Sequence, residues 1–418
     1  MNIAELHHHF LASEGITTDS RKIVSNSIFF ALKGENFNGN KFALDALKMG
    51  ASYAVIDEKP AESDERLILV KDVLRTLQKL ANFHRKYLNL PIIGLTGSNG
   101  KTTTKELIKS VLETKFNIVA TKGNLNNHIG VPLTLLSMDK TTEIGIVEMG
   151  ANHLKEIEML CEIAEPNFGY ITNFGKAHLE GFGGIEGVIK GKSELYDFLR
   201  KTKGKTFLNT DDLKQVEKAE GIESIHFNKK QISLIDSDPF ISVAFEKVPI
   251  NSNLIGLYNY TNIAAAVCIG NYFKVLTEQI KFGIENYTPS NNRSQIISKG
   301  TYLIILDAYN ANPSSMTVAL ENFSKTQGKY KVVILGDMFE LGKESATEHQ
   351  QIANLAESYP FDTVLLIGKA FSTTRVKNAL LYDTFEAFKA SNYKFPENST
   401  FLIKGSRGMA LERILDLL

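Results

Sequence analysis

Residues 91–104, Pro-Ile-Ile-Gly-Leu-Thr-Gly-Ser-Asn-Gly-Lys-Thr-Thr-Thr, limit what this chain can fold into more than any other stretch. The apolar run at its start reads as a buried strand, and glycines then turn the backbone. Lys101-Thr102 opens a helical pattern with apolar residues at Leu107, Ile108, Val111 and Leu112. Strand, glycine turn and helix start in that order make half of a parallel βαβ unit. The same order makes a phosphate cradle: glycines let backbone N–H groups approach the oxygens, the lysine adds charge, and a threonine hydroxyl can reach Mg²⁺. The strict form of the loop carries a further glycine where Leu95 stands, so Gly97-x-x-Gly100-Lys101-Thr102 is a shortened version. A tight strand-to-helix turn without a nucleotide is the plain alternative.

The 418 residues suggest about three domains at roughly 150 residues each. Lys plus Arg equals Asp plus Glu at 47 each, which lacks the basic excess expected of a nucleic-acid binder. Apolar runs such as 302–306 and 364–367 are too short to span a bilayer. Met1-Asn2-Ile3-Ala4-Glu5 has neither the charge nor the apolar core of a signal peptide. Two cysteines, Cys161 and Cys268, imply no disulfide framework, so a cytoplasmic location is expected. His7-His8-His9 is read as part of a solvated first helix rather than as a metal tract.

Strand candidates at 27–32, 53–56 and 66–70 precede a helical segment over 72–88. Further candidates at 92–96, 144–149, 168–172 and 206–209 alternate with helices, which predicts a mostly parallel sheet covered on both faces. The polar run 287–292 is the best linker. Beyond it, strands at 302–306, 331–335, 363–367 and 400–404 each end in a glycine or polar residue, placing those endings on one ligand-binding rim.

Three residues stand out near the glycine loop. Glu148 ends a buried strand where Mg²⁺ would need an oxygen ligand. His178 follows strand 168–172 and could be a second metal ligand through a neutral ring nitrogen. Lys192, in a segment read as the start of a helix, could be chemically active only if burial keeps it neutral. Their plain alternatives are a solvated strand end, a satisfied structural histidine and a basic helix end.

The series Thr-Gly-Ser-Asn-Gly-Lys-Thr-Thr-Thr, Gly123-Asn124-Leu125-Asn126-Asn127-His128, Glu148-Met149-Gly150-Ala151-Asn152-His153, Ala177-His178-Leu179-Glu180-Gly181 and Lys192-Ser193-Glu194-Leu195-Tyr196 resembles the Mur ligase family. The resemblance spans the chain. It includes Thr18-Asp19-Ser20-Arg21-Lys22 upstream, and Tyr258-Asn259-Tyr260-Thr261-Asn262, Asp307-Ala308-Tyr309-Asn310-Ala311-Asn312-Pro313, Gly336-Asp337-Met338 and Lys404-Gly405-Ser406-Arg407 downstream.

The resemblance implies three α/β domains. These are a small UDP-muramoyl-peptide-binding domain over 1–90, a central P-loop ATPase domain over 91–290, and a Rossmann-like domain over 291–418. It implies a monomeric, cytoplasmic, ATP-dependent ligase that joins D-alanyl-D-alanine to UDP-N-acetylmuramoyl-tripeptide through an acyl phosphate. Hinge closure about residues 90 and 290 would shield that intermediate from water.

Residue by residue, it implies Thr96, Gly97, Ser98, Asn99, Gly100, Lys101, Thr102 and Thr103 around the ATP phosphates. Asn262, Arg293 and Asp307 would grip adenine, phosphate and ribose. Lys101, Glu148, His178 and Lys192 form the implied catalytic set. Thr102 and Glu148 would hold a first Mg²⁺, His178 a second, and Lys192 would assist as a carbamate formed from CO₂. Tyr309, Asn310 and Asn312 would receive the dipeptide. Ser20 and Arg21 are expected at the UDP-muramoyl end, with Asn126 and Asn127 also among the substrate-binding positions.

Two departures stand out: Asn38-Gly39-Asn40 where Asp-Gly-His is common, and Leu306 before Asp307 where paired aspartates are common. The rival readings are a sibling ligase that adds a single amino acid and a nucleotide-dependent switch. A sibling would carry an arginine signature where Tyr309-Asn310-Ala311-Asn312-Pro313 stands, and a switch has no use for Glu148, His178 and Lys192 together.

Overall fold

A computed structural model describes residues 1–60, 62–290 and 292–418. Asn291, part of the expected linker, lies outside the described residues. The N-terminal sheet runs Ile16–Thr17, Ile28–Phe30, Tyr53–Ile56, Leu67–Leu69, with every pairing parallel. Helix Val73–Leu88 follows, started by Asp72, whose carboxylate accepts from Arg75 N at 2.8 Å, and ended by Asn89 in the left-handed region. This helix is fastened to the layer beyond it. Buried Arg85 donates to Ala164 O and Asn167 Oδ1 at 3.0 and 2.8 Å, and Gln78 donates to His128 O.

The first helix, Ile3–Leu11, is not solvated all round as the sequence suggested. His7 is buried, and its Nε2 meets His84 Nδ1 at 2.9 Å. His84 Nε2 in turn bonds Met138 O at 2.8 Å, so His84 presents an unprotonated Nδ1 and His7 donates to it. Burial and the neighbouring ring pull His7 down to about 4.

The central sheet is parallel throughout, in the order Glu223–Phe227, Lys205–Asn209, Phe168–Ile171, Ile92–Thr96, Ile144–Glu148, Ile118–Ala120. Successive residues of a strand face opposite ways. Ile92 and Ile171 join one apolar core, while Ile93, Leu95 and Tyr170 join another. Both faces are therefore covered, as the alternation required. Leu95, the non-glycine of the shortened loop, is a core residue.

An antiparallel sheet that the sequence reading did not anticipate packs beside it: Ile232–Asp236, Phe240–Phe245, Val248–Ile255. Its second hairpin turns at Glu246 and Lys247, both at positive φ, where Asn-Gly or Asp-Gly is the usual signal.

The C-terminal sheet runs Gln295–Lys299, Tyr302–Asp307, Ser399–Lys404, Tyr330–Gly336, Thr363–Ile367, Leu380–Tyr382, with only the first pairing antiparallel. Among the described residues no helix is long and apolar enough to cross a membrane.

Candidate active site

The loop after Ile92–Thr96 is held open by its neighbours. At Gly97, with φ +140°, a Cβ would lie 2.0 Å from Thr172 Oγ1. At Gly100, with φ +79°, it would lie 2.8 Å from Asn262 Oδ1. The next parallel strand clamps the loop from one side. Thr172 Oγ1 donates to Asn99 O at 2.6 Å, Asn99 N donates to Asn173 Oδ1 at 3.1 Å, and Ser98 Oγ donates to Gly175 O at 2.8 Å. Gly100 then caps helix Lys101–Leu112 with no side chain to compete for the first N–H groups, the arrangement that attracts an anion.

Lys101 folds back over this loop and donates to Gly97 O and Ser98 O at 2.7 and 3.2 Å. Burial lowers its affinity for a proton, and Arg293 adds to that effect. A phosphate would restore the charge balance. Thr96 is not part of the cavity wall; its hydroxyl is spent on Met149 O at 2.8 Å inside the sheet.

Glu148 ends the strand on the other side of the loop, paired in register with Leu95. Its Oε1 accepts from Thr102 Oγ1 at 3.3 Å and from Asn126 Nδ2 at 2.8 Å. Its Oε2 is buried with no hydrogen-bond partner among the described residues. A carboxylate oxygen is costly to leave in that state, and a cation beside a phosphate would satisfy it. Among the described residues no three His, Cys, Asp or Glu side chains cluster as a complete metal site. Phosphate oxygens and water are the usual remaining ligands of Mg²⁺.

Lys192 does not start a helix as the sequence reading had it. It lies inside helix Ile185–Thr202, fully buried, because Gly184 rather than Lys190 marks the helix start. Its Nζ donates to Ala151 O at 3.0 Å and stands 5.0 Å from the Phe182 ring centre. Burial, reinforced by Lys101 and opposed by the charges of Glu156 and Glu194, holds it well below the ordinary lysine value. Lys192 itself is set behind the cavity wall, whereas its acceptor Ala151 lines it. His178 lines the cavity too, at φ +53°, with Nδ1 bonded to the Glu340 carboxylate of the C-terminal domain.

The C-terminal sheet supplies the opposite wall of a cavity of about 710 Å³. Arg293 stacks on the Tyr309 ring at 3.7 Å. Asp307 Oδ2 accepts from Lys404 Nζ at 2.5 Å, and its Oδ1 accepts from Ser294 N at 3.2 Å. Asn312 caps helix Pro313–Lys325 through its Oδ1 and reaches across with Nδ2 to Asn99 Oδ1 at 2.7 Å. A backbone contact from Lys176 N to Ser314 Oγ at 2.8 Å and an ion pair from Lys176 to Glu348 at 2.6 Å join the same two domains. The chain is thus held with its second and third domains docked.

Of the remaining expected positions, Thr102, Thr103, Asn126, Asn127, Asn262 and Asn310 line the cavity. Asn262 spends both ends of its amide on Thr104 Oγ1 and Asn259 Oδ1, at 3.0 and 2.8 Å. Ser20 and Arg21 are not brought to it. Arg21 is exposed and bidentate to Asp19, at 2.9 and 3.0 Å. Lys404 and Tyr258 line the cavity without having been assigned a role from sequence. Lys404 ends its strand as Asp307 ends the neighbouring one, so the strand-end rule that selected Asp307 could have selected it.

Comparison with known proteins agrees with this geometry. Three family models match in order: "Mur ligase family, catalytic domain" over 13–85, "Mur ligase middle domain" over 95–270 and "Mur ligase, glutamate ligase domain" over 292–407. The UDP-N-acetylmuramoyl-tripeptide–D-alanyl-D-alanine ligase of Bacillus subtilis is 34% identical over 99% of this chain and 96% of its own. The solved structure of MurF from Acinetobacter baumannii is 32% identical, with a TM-score of 0.85 over 96% of this chain and 92% of that one. MurF ligase from Thermotoga maritima, in complex with ADP, is 27% identical with a TM-score of 0.86, covering 97% of each chain. With a phosphate loop, a strand-end carboxylate and a third domain docked over them, and with relatives matching nearly end to end, this chain belongs to the Mur ligase family.

Proposed function

We propose that the chain is an ATP-dependent ligase that joins D-alanyl-D-alanine to UDP-N-acetylmuramoyl-tripeptide, acting in the cytoplasm as a monomer. The observation that carries this reading is the unpartnered Glu148 Oε2 beside Thr102 and the phosphate loop, in a cavity whose far wall belongs to another domain. A carboxylate and an amine do not condense at neutral pH without activation. Transfer of the γ-phosphate to the tripeptide carboxylate gives an acyl phosphate, and attack by the dipeptide amine then releases phosphate. Such a transfer needs positioning and charge neutralisation more than covalent help.

The residues divide that work. Gly97, Asn99, Gly100 and Lys101 bind and orient the phosphates. Thr102 and Glu148 would hold one Mg²⁺ and His178 another, and the chemistry such ions would supply is positive charge beside the phosphate oxygens. Lys192 suits a carbamate, because a buried neutral amine is the form that adds CO₂ and its Nζ meets the Ala151 carbonyl and the Phe182 ring. Asn262, Arg293 and Asp307 hold the nucleoside end, and Asp307 is kept in place by Lys404. Tyr309, Asn310 and Asn312 face the incoming dipeptide. Ser20 and Arg21, which do not line the cavity, serve the UDP end of a long substrate.

A sibling ligase that selects a single amino acid is the second reading, and Tyr309-Asn310-Ala311-Asn312-Pro313 argues against it. Phosphate release from ATP decides between them. Turnover that requires both the tripeptide nucleotide and D-alanyl-D-alanine, with a pentapeptide product by mass, is expected. Turnover with a free amino acid, or with neither substrate, would refute the proposal.

A further inference from the structure

His178 and Glu340 meet across the seam between the central and C-terminal domains, and both have unusual backbones. His178 has φ +53° and Glu340 has φ +62°, the left-handed region that non-glycine residues seldom adopt. Each costs free energy that the surrounding fold must offset, and such strain concentrates where side chains are aimed for function. The aim here is mutual. The Glu340 carboxylate bonds His178 Nδ1, while Glu180 N donates to Glu340 O at 3.2 Å and fixes the backbone that carries the carboxylate. Gly342, at φ +53°, packs against Glu180 and brings the loop close. His178 lines the cavity; Glu340 does not.

A carboxylate only accepts, so the proton on this face of the ring sits on Nδ1, and in the neutral ring Nε2 is then the atom with the free lone pair. That is how a carboxylate behind a histidine prepares it as a ligand. We propose that Glu340 is a positioning residue for His178. It sets the tautomer and ring orientation, and because it belongs to the C-terminal domain, the ligand is completed only when that domain docks. The inference rests on reading His178 as a ligand to the second divalent cation.

The test uses the whole enzyme, with Mn²⁺ titrated into its complex with a non-hydrolysable ATP analogue, followed by electron paramagnetic resonance. Steady-state ligation is measured in parallel. The Glu340 side chain is half exposed, so Glu340→Ala and Glu340→Gln should both fold, which melting checks. Glu340→Ala should weaken the weaker Mn²⁺ site by about 10–100-fold and lower kcat by the same order. The KM for D-alanyl-D-alanine should not change. Glu340→Gln keeps an acceptor oxygen for Nδ1–H and should restore most of both. Added to His178→Ala, Glu340→Ala should cost nothing more. Wild-type Mn²⁺ affinity in Glu340→Ala would overturn the proposal. So would equal damage from Gln and Ala, which would make Glu340 a charge latch between domains. A wild-type enzyme that makes no pentapeptide would overturn the functional reading alone, since the Mn²⁺ titration needs no peptide substrate and still decides the role of Glu340.

Discussion

Adding one methyl group at Gly97 should uncouple the phosphate loop from nucleotide. In Gly97→Ala the new Cβ would sit 2.0 Å from Thr172 Oγ1 and 2.9 Å from Thr172 N, on a backbone at φ +140°. Thr172 cannot turn aside cheaply. Its hydroxyl holds Asn99 O at 2.6 Å and its N–H holds Thr96 O at 2.9 Å. The backbone conformation costs about 1–3 kcal/mol for a non-glycine residue, and losing the Thr172–Asn99 bond costs about 1 kcal/mol more. The sum, about 2–4 kcal/mol, corresponds to roughly 30- to 700-fold at about 1.4 kcal/mol per tenfold. The loop can relieve this strain only by moving away from the strand that shapes it, so the cost should appear in nucleotide affinity. Calorimetric titration with Mg·ADP measures it, and a thermal melt separates it from unfolding. A folded Gly97→Ala enzyme that binds ADP as tightly as wild type would refute the argument that Thr172 shapes the cradle.

Three further outcomes follow from buried charge. Lys404→Met leaves Asp307 with its partner removed in a mostly buried setting, which should cost about 3 kcal/mol of stability; adding Asp307→Asn should recover most of it in a melt. Lys192 has a folded pKa below its ordinary value of 10.5, so in CO₂-depleted buffer the unfolded chain binds more protons and wild-type stability should rise with pH toward that value. Lys192→Met should flatten that rise, and an unchanged slope would remove the case for a neutral amine. His7, at about 4 rather than 6.5, favours the fold in its neutral form, so its contribution is full above pH 6.5 and is lost as pH falls toward 4. His7→Gln should shrink the acid limb of the melting profile in that window, and an identical limb would show that the His7–His84 pair does not govern it.

Much of the architecture was legible because it rests on short-range rules. Strands 53–56, 92–96 and 363–367 appear where the apolar runs predicted them, since a strand buried on both faces is apolar throughout. The antiparallel sheet at 232–255 was not legible. Its tight turn uses Glu246 and Lys247 in a conformation that their side chains do not advertise. The burial of His7 was not legible for a related reason: the ring that completes its hydrogen bond lies 77 positions away.

The sequence by itself determined the phosphate loop and the parallel sheet around it, because glycine spacing and apolar runs act within a few residues. It also carried the motifs that placed the chain in its family. Tertiary structure alone decided which side chains meet. Lys192, buried inside a helix, was brought against the Ala151 carbonyl and the Phe182 ring. Glu148 was left with a buried oxygen that has no hydrogen-bond partner among the described residues. Lys404 came to Asp307 through the register of two strands nearly a hundred residues apart, and Glu340 came to His178 across a domain seam. Burial and opposing charge depend on three-dimensional neighbours, and no local pattern encodes them.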